Sequence, residues 1–329
     1  MKILVTGSEG FIGSHLVERL ISTGHNVTGL IQYNSLADVG NLKFIDKNIQ
    51  KNLNVEFGDI RDPDKMIQLS KNKDIIIHLA ALISIPHSYS SYKSFIDTNV
   101  NGTTNILRCL KKYNNLKLIH TSTSEVYGTG IKIPMDENHR LYPQSPYAAS
   151  KASADLMVNS FCNSFNLPII TIRPFNTFGP RQSPRAVIPT IIKQFISNQN
   201  YLTLGNVNTK RDFTYILDTV RAYEKTLKSN KYGEVFNIGS NFSIKISEIV
   251  NICSKELKIK KKIRQDLKKL RPKNSEVMQL FCSNLKAKKY LKWKPQYMGL
   301  SGFKKALKIS IEWYKKNKNI YQNYSKKII

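Results

Sequence analysis

The sequence predicts an α/β protein: a doubly wound parallel sheet followed by a smaller C-terminal α+β domain. In the first half of the chain, short apolar runs alternate with longer amphipathic stretches, which indicates strand–helix–strand units with right-handed crossovers. Several of these runs are apolar throughout, as is typical of strands buried on both faces of a sheet. After residue 174 the regular alternation stops, which indicates that a second unit begins there.

Six apolar runs of the first half are predicted strands, and four stretches between them are predicted helices. The strands are 2–7, 26–31, 54–59, 74–80, 116–123 and 168–174. The helices are 13–24, 63–71, 95–113 and 147–165. Beyond them, the Pro-, Gly- and Asn-rich residues 175–189 predict an ordered loop, with a helix expected at 190–198. The later elements are a strand that runs into a helix at 211–229, a strand at 234–240 and an amphipathic helix at 303–317.

The net charge of +28 is exceptional, whereas the hydrophobic content of 41% and the charged content of 22% are ordinary. The excess is mostly Lys and is concentrated towards the C-terminus, at 255–270 and 315–327, and Asn and Ile are also abundant. We interpret this excess as a compositional bias rather than a nucleic-acid surface, and such a basic field would still attract a diphosphate.

The cysteines and the N-terminus indicate the cellular setting. The four cysteines are scattered and have no metal-binding spacing, which predicts reduced thiols in a cytoplasmic protein and no metal site. No apolar run is long enough for a signal peptide or a membrane span, so no membrane partner is expected.

The stretch TGSEGFIG places three glycines between the first strand and the first helix. Gly7 allows a tight turn, Gly10 lets the backbone approach a pyrophosphate, and Gly13 lets the helix pack against the strand. The helix N-terminus supplies N–H groups and a partial positive charge to phosphates. The pattern predicts a Rossmann-type dinucleotide site, and a plain tight turn is the alternative.

The acidic residue that usually holds the adenosine ribose is missing at the end of the second strand. The chain reads GLIQYNS there, with no Asp or Glu and no nearby Arg for a 2′-phosphate, and Asn34 lies among its amides and hydroxyls. These groups suit either cofactor, so NAD is predicted and NADP stays open. Asp59, in GDIRD, is expected to meet the adenine amine, unless it is a plain strand end.

The stretch SPYAASK places Tyr147 and Lys151 four residues apart, so both project from one helix face. A phenol with a pKa of about 10 needs help to act as a base at neutral pH. We expect the Lys151 ammonium to lower the pKa of Tyr147, so that the phenol can remove a proton from a sugar hydroxyl. A redox-sensing or RNA-binding protein on a dinucleotide scaffold is the non-enzymatic alternative, and it would tend to lose this pair.

The glycine turn, the set Thr123, Tyr147 and Lys151, and the stretch RPFNTFGPRQ (173–182) resemble the extended short-chain dehydrogenase/reductase family of sugar-nucleotide epimerases, dehydratases and decarboxylases. The resemblance covers nearly the whole chain. It implies that Thr123 binds the sugar C4 hydroxyl, and that Tyr147 takes its proton while a hydride leaves C4 for the nicotinamide. Further cofactor contacts are implied at Phe11, Ile12, Ile60, Leu79, Ala80, Ala81 and Asn99.

Glu125, in TSTSEVYG (121–128), distinguishes the branches of this family. It is either a solvated charge at a strand end or a base beside the sugar. A 4-epimerase needs no carboxylate there, whereas a 4,6-dehydratase must remove the C5 proton and expel the C6 hydroxyl as water. The family's 4,6-dehydratases resemble this chain in carrying Glu at this place. Glu125 is therefore the predicted C5 base. Many of these dehydratases have Asp where this chain has Ser124, so the proton for the departing oxygen would come through the Ser124 hydroxyl as a relay, through a water or from Glu125 itself.

Four longer stretches resemble the N-acetylhexosamine-nucleotide 4,6-dehydratases of the legionaminic acid pathway. They are LIQYNS (30–35), HTSTSEVYGT (120–129), RPFNTFGPRQSPRAVIPTII (173–192) and RPKNSEVM (271–278). The predicted function is therefore 4,6-dehydration of GDP- or UDP-N-acetylglucosamine. The alternatives are a nucleotide-sugar 4-epimerase and a UDP-glucuronate decarboxylase, in which Arg181 or Arg185 would pair with the uronate.

The resemblance also implies contacts to the nucleotide sugar. Arg211 and Arg271 correspond to phosphate and ribose contacts, and Asn176 to a residue that binds the diphosphate or the sugar. Arg181 and Val187 are expected at the same site. For Arg211, an ion pair with Asp212 is the structural alternative.

The predicted domains are an NAD(P)-binding Rossmann domain and a nucleotide-sugar-binding domain. The first comprises 1–174, to which 211–240 return, and the second comprises 175–210 and 241–329. The helices 95–113 and 147–165 resemble the pair that forms the dimer interface in this family, so a homodimer is expected.

Overall fold

Within residues 1–319, which the computed structural model describes apart from the side chains of Lys268 and Lys273, seven strands form one parallel sheet. Numbered in chain order, they are β1 (Lys2–Thr6), β2 (Asn26–Gln32), β3 (Leu53–Gly58), β4 (Ile75–His78), β5 (Lys117–Thr121), β6 (Ile169–Pro174) and β10 (Val235–Ile238). Their spatial order is β3–β2–β1–β4–β5–β6–β10, and all neighbours are parallel. The strand order reverses between β1 and β4, which is where ligands bind in open sheets of this kind. The predicted doubly wound α/β fold is confirmed.

Helices cover both faces of this sheet. They are α1 (Phe11–Ser22), α2 (Lys47–Gln50), α3 (Pro63–Ser70), α4 (Ile85–Ser88), α5 (Tyr92–Phe95), α6 (Gly102–Lys112), α7 (Pro146–Phe165) and α9 (Ile216–Leu227). Side chains alternate along β1: Ile3 and Val5 pack in the core under α1 and α9, whereas Leu4 packs in the core under α3 and α6. This period of two on a strand buried on both faces explains the continuous apolar runs.

The predicted helix 95–113 contains a π-helical segment, Ile96–Asn101, between α5 and α6. At its centre, the side chain of Asn99 accepts a hydrogen bond from Leu82 N at 2.9 Å and donates one to Leu82 O at 2.9 Å. Thr103 Oγ1 donates to Asn99 O at 2.6 Å. The wider turn thus ties the helix to the loop that follows β4, and π segments of this kind are frequent beside functional sites.

The remaining elements build a smaller unit around the later part of the chain. Its strands are β7 (Asn176–Phe178), β8 (Tyr201–Leu204), β9 (Lys210–Tyr215), β11 (Ser243–Lys245) and β12 (Lys262–Gln265). Its helices are α8 (Val187–Phe195), α10 (Ile246–Leu257), α11 (Leu285–Leu291) and α12 (Gly299–Lys316). Short 3₁₀ turns lie at Gly40–Phe44, Ser124–Tyr127, Leu267–Lys269 and Lys273–Ser275.

Two predictions in this region were wrong at their boundaries. The segment 175–189 is not a loop throughout, because it contains β7, which pairs with β9. The following helix starts at Val187 rather than at residue 190 and ends at Phe195. Pro189 lies in the first turn of α8, where the N–H that proline lacks would have no helical partner.

The chain crosses between the two units more than once. Strand β10 hydrogen-bonds β6 in the large sheet, whereas β9 joins β7 and β11 in a small sheet. Helix α9 packs against α1. The division into domains stays a prediction, and residues 320–329 of the second domain, with the end of the basic stretch 315–327, lie outside the described residues.

Candidate active site

The carboxyl ends of β1, β4 and β5 meet at one edge of the sheet. There the glycine turn follows β1, residues 79–81 follow β4, and residues 122–125 follow β5. Parallel strands direct their carboxyl ends to the same edge, so motifs far apart in sequence come together. This edge holds the candidate active site.

The glycine turn is packed tightly enough to exclude side chains. Gly7 has φ +69°, and a Cβ there would lie 2.8 Å from Ala80 N. A Cβ at Gly13 would lie 2.1 Å from Gly7 O, so only glycine lets α1 approach the turn. No side chain caps α1, which leaves the start of the helix open to a phosphate.

The loop after β4 is held against this turn by Thr6. Its Oγ1 accepts hydrogen bonds from Leu79 N and Ala80 N, both at 3.2 Å. The backbone of Ala80 and the backbone of Gly7 are therefore in close contact, as expected for a backbone-lined cofactor cleft.

Tyr147 and Lys151 lie in the first turns of α7, whose N-terminus is capped by Ser145. Both side chains are buried. Thr123 hydrogen-bonds the Tyr147 phenol, and Lys151 Nζ donates to Thr121 O at 2.7 Å. The structure thus brings the three predicted catalytic residues together beneath the end of β5.

The expected effect of Lys151 on Tyr147 was wrong for this arrangement. Burial raises the pKa of Tyr147 to about 12, reinforced by the charges of Glu125 and Asp155 and opposed by the Thr123 hydrogen bond. Burial lowers the pKa of Lys151 to about 8, and the Asp155 charge opposes that shift. Desolvation dominates because both side chains are removed from water inside the protein.

A buried polar network lies behind Lys151 and is centred on Asp155. Its Oδ1 accepts from His120 Nε2 at 3.0 Å, and its Oδ2 accepts from Ser122 Oγ at 2.6 Å and Arg173 Nη2 at 2.8 Å. Burial opposes ionisation of Asp155, but these hydrogen bonds and the Arg173 charge lower its pKa to about 2. Burial also lowers the pKa of His120, so the imidazole is neutral and donates through Nε2. The network therefore carries one negative charge against the positive charges of Lys151 and Arg173.

Glu125 lies in the 3₁₀ turn that follows β5, where Thr123 Oγ1 accepts a hydrogen bond from its backbone N–H at 3.3 Å. The residue is 9% exposed, so it is not a solvated strand-end charge. Its Oε2 is 3.3 Å from Nη1 of Arg271. This carboxylate is close enough to Tyr147 to raise the pKa of the phenol.

Arg211 is buried in the same region. Its Nη2 lies 3.4 Å from Glu276 Oε1, and Nη1 donates to Lys210 O at 2.9 Å. Burial lowers the pKa of Arg211, and the Glu125 carboxylate opposes that shift. Asp212 lies on the opposite face of β9 and accepts from the Ser240 backbone N–H at 2.7 Å, so the alternative Arg211–Asp212 ion pair is wrong.

The segment that carries Arg271 is anchored across the site. Tyr89 OH and Ser275 Oγ are 2.5 Å apart, and Ser275 Oγ also donates to Gln144 O. Gln144 Nε2 in turn donates to Asn274 O at 2.9 Å. These contacts fix Arg271 over the end of β5.

The other predicted substrate residues differ in placement. Asn176, in β7, has a buried Oδ1 that finds no hydrogen-bond partner within residues 1–319, which suits a polar ligand. Arg181 is directed to α1 instead: its Nη2 is 2.7 Å from Glu18 Oε2 and donates to Phe44 O at 3.2 Å. Val187 is the first residue of α8 and packs against the large core. The structure records no contact between Arg181 and the Glu125 carboxylate.

Several predicted cofactor residues already have partners within the protein. The Asn34 amide donates to Gln32 O and Asp38 O, so it orders its own loop. Asp59 forms an ion pair with Arg61, with 2.5 Å between Oδ2 and Nη2. Phe11, Ile12 and Ile60 pack in or against the core, and Asn99 donates a hydrogen bond to Ser150 Oγ. Their contacts to a cofactor stay predictions.

The sequence profile of the GDP-mannose 4,6 dehydratase family matches residues 4–306. The chain belongs to this family. The matched region contains the glycine turn, the residues around Tyr147 and the Arg271 segment. The predicted membership of the epimerase/dehydratase branch of the short-chain dehydrogenase/reductases is confirmed.

Several known proteins and solved structures resemble the chain to similar degrees. The dTDP-D-glucose 4,6-dehydratase of Dictyostelium discoideum is 35% identical over 272 residues, which are 76% of this chain and 62% of that relative. The chain thus spans less than two thirds of that relative's length. The structure of DesIV, a dTDP-glucose 4,6-dehydratase from Streptomyces venezuelae with NAD bound, has a TM-score of 0.88 at 28% identity, covering 97% of this chain and 98% of that one. UDP-glucuronic acid 4-epimerase from Bacillus cereus, solved with UDP-glucuronic acid and NAD, has a TM-score of 0.86 at 29% identity, covering 96% and 100%.

The sequence analysis missed the Asp155 network of this GDP-mannose 4,6 dehydratase family member. A signal was present, because Asp155 follows Lys151 by four residues and Tyr147 by eight, and so lies on the same face of α7. Arg173 gave no comparable signal. It reaches Asp155 only because β6 pairs with β5 beneath α7.

The remaining observations on this family member concern membrane-spanning helices, metal sites and cysteines. Over residues 1–319, none of the helices is both long and apolar enough to cross a membrane. In the same part of the chain, no group of three or more His, Cys, Asp or Glu side chains is arranged to hold a metal ion. The cysteines, including Cys109 and Cys282, are free thiols.

Proposed function

We propose that the chain is a nucleotide-sugar 4,6-dehydratase that converts GDP- or UDP-N-acetylglucosamine into the 4-keto-6-deoxy sugar nucleotide, with NAD as its cofactor. The observation that carries this proposal is the buried carboxylate of Glu125 beside Thr123 and Tyr147. A 4,6-dehydratase needs a base at that place to remove the C5 proton, whereas a 4-epimerase does not.

The residues at the sheet edge fit a nicotinamide dinucleotide. The glycine turn and the uncapped start of α1 suit its pyrophosphate, and Leu79–Ala81 would border its nicotinamide half. DesIV and the Bacillus cereus epimerase, which share this fold, were solved with NAD. NAD would supply a positively charged hydride acceptor for C4 and, once reduced, a hydride donor for C6.

Oxidation at C4 requires that the C4 hydroxyl lose its proton to Tyr147. Thr123 hydrogen-bonds Tyr147, so it can orient the sugar hydroxyl towards the phenol oxygen. Behind the phenol, Lys151 and Arg173 contribute two positive charges and Asp155 one negative charge. That network has one net positive charge, but burial still raises the pKa of Tyr147; an oxidised nicotinamide, when bound, would add a positive charge that favours the phenolate.

Elimination follows because a ketone at C4 acidifies the C5 proton. Glu125 takes this proton, the C5–C6 double bond forms, and the C6 hydroxyl leaves as water after receiving a proton. When a hydride then adds to C6, Glu125 returns its proton to C5. Ser124 is buried next to Glu125 and stands where many relatives carry an acid, so we assign it the relay of that proton. Both groups lie in the 3₁₀ turn Ser124–Tyr127, so they would act on the side of the sugar nearest to that turn.

Arg271 couples substrate binding to this base. A nucleotide diphosphate would compete with Glu125 for the Arg271 guanidinium, since bidentate contacts to phosphate oxygens are strong. Arg211 and the unpartnered Oδ1 of Asn176 lie within the same unit and offer further contacts. Binding of the substrate would therefore release Glu125 from Arg271 and make it available as a base.

Two alternatives have specific support. The similarity to the Bacillus cereus epimerase favours 4-epimerisation, in which Glu125 would have no chemical role. A uronate decarboxylase would need a cation for the carboxylate. Arg185 is exposed. Arg181 pairs with Glu18 through Nη2 but has buried Nε and Nη1 atoms with no hydrogen-bond partner among the described residues, so Arg181 and Arg271 are the candidates for that role.

A panel of sugar nucleotides, read by mass, tests the proposal. The purified protein is incubated with GDP- and UDP-N-acetylglucosamine, and with a nucleotide glucuronate. A product lighter by one water supports dehydration. A product of unchanged mass with inverted C4 would show the chain to be an epimerase, and loss of carbon dioxide from the glucuronate would show it to be a decarboxylase.

We also propose a homodimer through the outer face of α5, α6 and α7. These helices pack side by side, and Tyr92, Ile96 and Leu156 are 62%, 48% and 59% exposed. Such neighbouring apolar side chains suit a protein interface. Leu156→Asp should yield a monomer in light scattering after size exclusion, whereas Leu285→Asp, at an exposed position of α11, should not.

The cytoplasm is the compartment that we propose for this activity. All four cysteines are unpaired thiols, which the reducing cytoplasm preserves. The substrates of the proposed reaction, sugar nucleotides, would be met there. Alkylation of intact cells followed by mass analysis should find the thiol of Cys162 free rather than disulfide-bonded.

A further inference from the structure

A carboxylate from another segment lies at the end of β2, although β2 itself has no acidic residue. The last residue of β2, Gln32, and its neighbour Tyr33 are uncharged. Glu9, from the middle of the glycine turn, extends to this point: its Oε1 accepts a hydrogen bond from Gln32 N at 3.0 Å. The acid missing from β2 is thus replaced in space by an acid from the turn after β1.

The loop after β2 holds Glu9 in place. The backbone O of Glu9 accepts a hydrogen bond from Asn41 N at 2.9 Å. A Cβ on Gly40, which has φ +56°, would lie 2.9 Å from the Glu9 Cβ, so this loop packs directly on the Glu9 side chain. The carboxylate is therefore positioned by two elements rather than being a mobile surface charge.

The second carboxylate oxygen has no partner. Glu9 Oε2 is buried, and no hydrogen bond to it is recorded among the described residues. Burial raises the pKa of Glu9, opposed by the hydrogen bond from Gln32 N. Buried acceptors in folded proteins almost always have donors, so this oxygen indicates a ligand that brings one.

We propose that Glu9 is the ribose-binding acid of this chain: its carboxylate accepts hydrogen bonds from the hydroxyls of the adenosine ribose and selects NAD against NADP. In Rossmann folds the adenosine ribose lies between the glycine turn and the end of β2, which is where the Glu9 carboxylate lies. This inference rests on the dinucleotide site of the proposed function but not on the reaction with the sugar.

Discrimination follows from charge and from hydrogen-bond donors. A ribose diol has two O–H donors for the carboxylate, whereas a 2′-phosphate is anionic and would face a like charge. Two of the basic side chains that follow β2 and β3 already have a carboxylate partner. Lys43 Nζ is 4.0 Å from Asp38 Oδ1, and Arg61 is bound to Asp59.

Calorimetric titration of cofactor-stripped protein with NAD and with NADP tests this assignment without any sugar. Wild type should bind NAD at least about 100-fold more tightly than NADP. Glu9→Gln should weaken NAD binding by about tenfold and reduce the preference to less than about tenfold. Glu56→Gln is the matched control, because Glu56 lies on β3 and pairs with Lys65 at 3.1 Å. It should leave both dissociation constants unchanged.

The outcomes separate the possible failures. Unchanged constants in Glu9→Gln and Glu9→Ala would overturn the role of Glu9 and leave the proposed dehydratase intact. Wild type that binds neither dinucleotide would overturn the cofactor site itself. If Glu9→Gln fails to fold by circular dichroism, Glu9→Asp replaces it. Aspartate keeps the charge, so the ratio of the two constants should still favour NAD, and a ratio near one would contradict the proposal.

Discussion

Arg271 binds the Glu125 carboxylate across the candidate active site, with 3.3 Å between Nη1 and Oε2. The two residues lie 146 positions apart in the sequence. Glu125 lies in the turn that follows β5, next to the hydroxyl of Thr123. Arg271 belongs to a segment anchored through Ser275 and Gln144. This pair joins substrate recognition to the proposed base, and it leads to two predictions.

Glu125→Gln should stop the reaction after oxidation at C4. Gln keeps the size of the side chain and one hydrogen-bond acceptor but cannot take the C5 proton. Turnover to the dehydrated product should fall by about 100-fold or more, the usual contribution of a general base. Reduced nicotinamide should accumulate and be visible by its near-ultraviolet absorbance. Normal product formation with no reduced cofactor would rule out the role of Glu125, and Glu56→Gln serves as the control.

Arg271→Met should act mainly on substrate binding. Loss of a charged contact to the diphosphate should raise KM by about tenfold or more. Glu125 no longer has to be released from the guanidinium, so kcat should change less than KM. Steady-state kinetics with the active sugar nucleotide measure both constants. A large fall in kcat at unchanged KM would contradict a binding role, and Arg271→Lys shows how much of the effect is due to charge alone.

Tyr147→Phe should block the first step instead of the second. Without the phenol, the C4 hydroxyl keeps its proton and hydride transfer cannot proceed, so turnover should fall by at least about 100-fold. Unlike Glu125→Gln, this variant should show no reduced cofactor in single-turnover spectra. A variant that accumulates reduced cofactor would place Tyr147 after oxidation, contrary to the proposed order.

Asp155→Asn should shift the pH profile. The Asp155 charge raises the pKa of Lys151, which burial lowers to about 8. Removing that charge lowers the pKa further, so the ammonium is lost at lower pH. The alkaline limb of kcat/KM should move down by about one pH unit. Asp218→Asn is the matched control, because Asp218 is also buried but accepts hydrogen bonds from Gln296 and Tyr297. Asp218→Asn should lower the free energy of unfolding without moving the alkaline limb of kcat/KM. An unmoved alkaline limb in Asp155→Asn would show that Asp155 has only a structural role.

Much of the fold was predictable because its signals are local. Continuous apolar runs between amphipathic stretches predict strands of a sheet buried on both faces, and Gly7 and Gly13 predict the turn after β1. The spacing of Tyr147 and Lys151 on one helix face is likewise a property of neighbouring residues. Helix boundaries were less certain, since α8 begins at Val187 inside a stretch rich in loop-forming residues.

The site was predictable only in part, because side-chain partners depend on distant segments. Arg181 has the same charge as Arg271, yet it pairs with Glu18 on α1 rather than with Glu125. Asn34 has the right chemistry for a ribose, but its amide is used within its own loop. Asp59 likewise forms an ion pair with Arg61 within the protein.

The sequence by itself determined most of the strands and helices, the glycine turn after β1 and the spacing of Tyr147 and Lys151 on one helix face, because each depends on residues close together along the chain. Only the tertiary structure decided which charges meet. It placed Arg271 on Glu125, Arg173 on Asp155 and Glu9 at the end of β2. Electrostatic energy and desolvation depend on distance and burial in three dimensions, and no pattern of neighbouring residues records either quantity.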